Sequence, residues 1–77
     1  MNWKIVETTW NYLHLVCDTH QIYILAGKNG VTSYVTNITP KDSDAVAVFD
    51  YNKTAIDAAV IRTALAEAEL KILKGEI

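Results

Sequence analysis

Cysteine, proline and glycine are scarce in this chain, with one, one and three copies among 77 residues. The single cysteine, Cys17, has no partner for an internal disulfide, the staple that many domains of this size rely on. A lone thiol points to a reducing compartment, so the expected location is cytoplasmic. Two histidines and one cysteine are too few for a structural zinc site. Positive charge is also short, with 7 Lys and Arg against 9 Asp and Glu and a net charge of −2. Without a clustered basic face, nucleic acid is an unexpected partner. No apolar run approaches the roughly 18 residues needed to cross a membrane. The opening Met1-Asn2-Trp3-Lys4-Ile5 does not read as a secretory leader. There is no phosphate-cradling glycine loop, no serine-nucleophile motif and no carboxylate pair at a defined spacing. The expectation is a protein that is not an enzyme and uses no cofactor and no metal.

What is present predicts one α+β domain over residues 1–77. A small antiparallel sheet of about four to five strands, within 3–50, precedes one long helix at about 55–74 packed on one sheet face. Trp, Tyr, Ile, Val and Thr dominate residues 3–38, as suits a pleated, half-buried surface. Asn29-Gly30, between Ile22-Tyr23-Ile24-Leu25 and Val31-Thr32-Ser33-Tyr34-Val35, predicts a type I′ hairpin with Leu25 opposite Tyr34 and Ile24 opposite Val35. A turn at Thr19-His20 would set Cys17 opposite Ile22, Leu15 opposite Ile24 and His14 opposite Leu25. Ala45-Val46-Ala47-Val48-Phe49 reads as a short, fully apolar strand. Thr54 with Asp57 resembles a capping box, and Gly75 is a natural residue to follow the helix. At about 20 residues the helix would overhang its sheet.

The helix carries two apolar stripes. Ala58, Ile61, Leu65, Ala68 and Ile72 form one; Ala59, Ala66, Leu70, Leu73 and Ile77 form the other, with Thr63 in its gap. Arg62 and Glu69 separate them on one side, Glu67 and Lys71 on the other. A chain this short buries only about 60% of its unfolded surface and has little sheet with which to cover both. The second stripe is therefore the expected interface of a homo-oligomer.

Strand alternation gathers Leu13, Leu15, Cys17, Ile22, Ile24, Ala26 and Val35 on one sheet face, suited to the helix. The other face collects Trp10, Tyr12, His14, Val16, Tyr23, Leu25 and Tyr34. A one-residue slip in the first turn would swap the faces of residues 10–17. Trp10, Tyr12, His14, Tyr23 and Tyr34 are the candidate surface for a protein or small-molecule ligand, since such side chains combine contact area with a polar handle. The same residues would serve equally as a second layer of core. His14, Cys17, Asp18 and His20 are the one cluster resembling catalytic or metal groups. His14 and Cys17 point to opposite faces of a strand, and a buried cysteine beside a turn histidine is the commoner arrangement. Asp42-Ser43-Asp44 with Asp50 lacks the spacing of a calcium loop and reads as a solvated acidic segment. The expected function is non-enzymatic: a small binding or inhibitor-type protein, such as phages and plasmids encode, acting as a homo-oligomer. The alternatives are a small-ligand or nucleotide sponge with pockets between subunits, a structural subunit of an assembly, and a small enzyme using the His14/Cys17/His20 region.

Overall fold

The computed structural model describes residues 2–38 and 53–77. Among the described residues there are four strands, β1 (Lys4–Thr9), β2 (Tyr12–Val16), β3 (His20–Gly27) and β4 (Gly30–Asn37), ahead of one helix, α1 (Ala58–Leu73). The strands form an antiparallel meander in the order β1-β2-β3-β4. This is the expected α+β arrangement, with four strands. The strand expected at 45–49 and the acidic loop at 42–50 lie outside the described residues.

Both hairpin registers differ from expectation by two positions. Gly27 pairs with Gly30, so Lys28 and Asn29 occupy the turn in place of Asn29 and Gly30. Gly30 has φ 112°, while no described non-glycine residue has a positive φ. The left-handed geometry thus sits on the glycine that leaves the turn, where no Cβ opposes it, and a type I′ turn is excluded. In the preceding hairpin Asp18 and Thr19 form the turn, closed by the Cys17 N–H donating to the His20 carbonyl at 2.9 Å. His14 therefore pairs with Tyr23, Leu15 with Ile22, and Tyr23 with Tyr34. A displacement of two keeps every side chain on its face, because the pleat has a period of two.

β1 departs from regular alternation. Ile5 pairs with Leu15, but Glu7 pairs with His14, leaving Val6 as an extra residue in a bulge. Ile5 faces the core, and the bulge turns Glu7 to the opposite face.

The inner face contributes Ile5, Leu13, Leu15, Ile22 and Ile24 to the core, against Ile56, Ile61, Ala64 and Ala68 from the helical segment. Trp3 closes one side and donates its indole N–H to Glu69 Oε1 at 2.9 Å, tying the chain's start to the helix. The helix begins later than expected. Asp57 is its N-cap, accepting the Ala59 N–H at 2.7 Å, and Thr54 instead bonds the Ile56 N–H and the Trp10 carbonyl. Ala55 N–H also donates to the Trp10 carbonyl, at 2.7 Å, so residues 54–56 hook onto the β1–β2 turn before helix can start. With 16 residues α1 is about 24 Å long, matched to strands of eight residues at about 26 Å, and it does not overhang the sheet. At its end Gly75, φ 72°, lets its own N–H reach the Ile72 carbonyl and that of Glu76 reach Lys71. Those two bonds are the Schellman closure expected at that glycine.

Candidate binding face of the sheet

The sheet face turned away from α1 carries a transverse row assembled from all four strands. Register sets Glu7 (β1) opposite His14 (β2), His14 opposite Tyr23 (β3), and Tyr23 opposite Tyr34 (β4). The His14 and Tyr23 rings stack at 4.2 Å with 14° between their planes. Tyr23 then meets Tyr34 at 6.5 Å and, diagonally, Tyr12 at 6.3 Å, both tilted by about a third of a right angle. Such offset aromatic contacts are individually worth about 0.5–1.5 kcal/mol beyond the area they bury.

One buried side chain holds the row in place. Gln21, in β3 and two residues before Tyr23, turns its Oε1 toward His14 Nε2 at 2.7 Å and toward the Tyr23 hydroxyl at 3.1 Å. Its Nε2 donates to the Asn37 carbonyl at 3.0 Å, which fixes the orientation of the amide. Oε1 only accepts, so His14 carries its proton on Nε2 and the tyrosine hydroxyl donates. The imidazole is 7% exposed although it stands on the outer face, packed beneath the ring of Tyr23.

Exposure rises across the row. Tyr23 and Tyr12 are half-buried, whereas Tyr34 is 65% and Leu25 46% exposed. The Tyr12 phenol is held above its ordinary pKa, first by burial of the ring, then by the Glu7 carboxylate and by Tyr23. Glu7 therefore stands within electrostatic reach of the tyrosines.

The structure brings together four of the five residues expected to form this surface: Tyr12, His14, Tyr23 and Tyr34. Trp10 is elsewhere. It lies in the β1–β2 turn, 72% exposed, beside Asn11, Lys28 and Ala55, because β1 ends at Thr9 and β2 starts at Tyr12. Glu7 and Gln21 were not singled out by sequence. A regular strand would send Glu7 to the face of Ile5, so only the bulge reveals it. Gln21 shares the parity of Tyr23, and that spacing was the available signal.

His20 occupies the other face, buried, with Nε2 donating to the Ile77 carbonyl at 3.2 Å and Nδ1 accepting from the Thr19 hydroxyl at 2.8 Å. Cys17 is buried near the same turn, its sulfur 3.8 Å from the Thr19 hydroxyl. His14 and His20 thus stand on opposite sides of the sheet, and the His14/Cys17/His20 cluster does not converge on one site. Among the described residues no group of three His, Cys, Asp or Glu side chains is placed to hold a metal ion. A separate groove of about 450 Å³ runs between β4 and α1, lined by Ser33, Val35, Ala64, Glu67 and Lys71 among others. Among the described residues no helix is long and apolar enough to cross a membrane.

On the helix, Ile61, Ala64 and Ala68 are buried, while Ala59, Ala66, Leu70 and Leu73 of the second stripe face outward. Ile77 leaves that stripe. The helix stops at Leu73, and the chain folds back so that Ile77 lines the groove beside Ile22 and Val35. No protein-family model matches this chain, and no curated protein or solved structure matches it.

Proposed function

We propose that the protein is a small non-enzymatic binding protein of inhibitor or accessory type, acting in the cytoplasm as a homo-oligomer and engaging its partner through the tyrosine row of the sheet. The observation that carries this reading is the graded exposure of Tyr12, Tyr23 and Tyr34 over a base locked by Gln21 and His14. Rings already fixed on a sheet lose little conformational freedom on binding, and each offers apolar area with a hydroxyl at its rim. An exposed aromatic patch of this kind is also costly to leave in water. The partner is a protein surface or a planar small molecule. Nucleic acid fits less well, since Lys4 is the one cation among the described strand residues of that face, which also carries the negative charge of Glu7. The groove beside α1, at about 450 Å³, falls in the range of small-ligand sites and supports the ligand-sponge reading as the second choice.

Native mass spectrometry of protein purified from its own cells tests the proposal. The wild type should retain a partner or ligand, and Tyr12→Ala or Tyr34→Ala should weaken its retention at least about tenfold, as for a central aromatic anchor. Equal retention by wild type and both variants overturns it.

A further inference from the structure

We infer that the outer side of α1 pairs in parallel with α1 of a second copy, Arg62 of each chain facing Glu67 of the other. This rests on the self-association part of the function proposed above and adds its geometry. The outward residues Ala59, Thr63, Ala66, Leu70 and Leu73 recur at alternating spacings of four and three, the pattern of a coiled-coil seam. That seam lies diametrically across the helix from Ile61, Ala64 and Ala68, which face the sheet, so one helix serves both layers without conflict. Leu70 and Leu73 are 52% and 79% exposed in the single chain. The one polar seam residue is already satisfied, since the Thr63 hydroxyl donates to the Ala59 carbonyl at 2.9 Å and only its methyl need enter an interface.

The second copy is selected by charge. The flanks of the seam carry Arg62 and Glu69 on one side and Val60, Glu67 and Lys74 on the other. In a parallel pair each residue of the first flank meets the residue five positions later on the opposite helix. Arg62 then meets Glu67, and Glu69, which also accepts the Trp3 indole N–H, lies toward Lys74. Both pairings are attractive and both recur by two-fold symmetry. With only two leucines in the seam, the pair is expected to form in the micromolar range.

Sedimentation of the wild type at tens of micromolar comes first: a clean monomer overturns self-association and this inference together. If it is a dimer, Glu67→Arg should raise the dissociation constant about tenfold by setting arginines against each other in two places. Adding Arg62→Glu should return it to within about twofold of wild type. Ala66→Cys should close a disulfide-linked dimer under mild oxidation, because a seam residue on the two-fold axis meets its own copy, whereas Lys28→Cys should not. A dimer that the charge swap fails to restore, or in which Ala66→Cys stays unlinked, overturns the parallel seam while leaving self-association standing.

Discussion

The two faces of the sheet are built from alternate residues of the same strands, yet they are held by different forces. The inner face is aliphatic, with Leu13, Leu15, Ile22 and Ile24 fully buried against Ile61, Ala64 and Ala68. Its stability comes from apolar area removed from water, which depends on volume and shape rather than direction. The outer face is aromatic and directional, with Gln21 Oε1 accepting from both His14 and Tyr23 while three tyrosines lean on one another. A layer like this can be stiff without being covered. On the function proposed above, the contrast is a division of labour between folding on one face and recognition on the other.

The sharpest way to break that contrast is to empty the inner face. Ile24→Ala should cost about 2–5 kcal/mol through lost transfer energy and the cavity left behind. A domain of this length has about 4–12 kcal/mol in all, so the urea midpoint should fall steeply and part of the population should be unfolded. A loss below about 1 kcal/mol would mean that the core is not where Leu13, Ile22 and Ile24 meet.

The division of faces was legible in the sequence because it depends only on parity. The expected turns at Thr19-His20 and Asn29-Gly30 were each one residue late, which moved the pairings by two and left every side chain on its own side. The expected turn sets His14 beside Leu25, whereas the fold stacks it on Tyr23, so parity gives the composition of the face but not its contacts. A bulge breaks parity, and Glu7 was missed for that reason. Alternation through residues 10–17 puts Trp10 with the tyrosines, but Trp10 and Asn11 form the turn between β1 and β2, which takes Trp10 off that face. On the helix, spacing separated the buried stripe from the exposed one. The 3-4 spacing runs from Ile61 through Leu65 to Ala68, whereas the fold turns Ala64 into the core and leaves Leu65 half-buried at its edge.

A smaller change should loosen the outer face without emptying the core. Gln21→Ala leaves the His14 Nε2–H and the Asn37 carbonyl without their partners, at a cost of about 1–3 kcal/mol. The tyrosine ring signals in proton NMR spectra should broaden or shift while those of Leu13 and Leu15 stay in place. Movement of both sets together would show that the faces are not independent.

The smallest effect concerns pH. The Tyr12 phenol has its pKa raised in the fold, by burial first and by Glu7 next. A raised value means that the folded state favours the protonated form. Its contribution to stability is complete below the ordinary tyrosine value of about 10, and is lost as pH rises through the folded value. Tyrosinate absorbance should therefore show one late transition that Tyr12→Phe removes and Glu7→Gln shifts to lower pH. Alkaline loss of stability should be shallower in Tyr12→Phe than in wild type; an unchanged titration would remove Tyr12 from the neighbourhood of Glu7.

The division of labour itself is tested most directly by measuring unfolding free energy and partner affinity for Tyr34→Ala beside Ile24→Ala. Tyr34→Ala is predicted to weaken binding at least about tenfold while costing no more than about 1 kcal/mol of stability, against about 2–5 kcal/mol for Ile24→Ala. If Tyr34→Ala destabilises the fold as much as Ile24→Ala, or leaves partner affinity unchanged, the outer face is a second core and the account is contradicted.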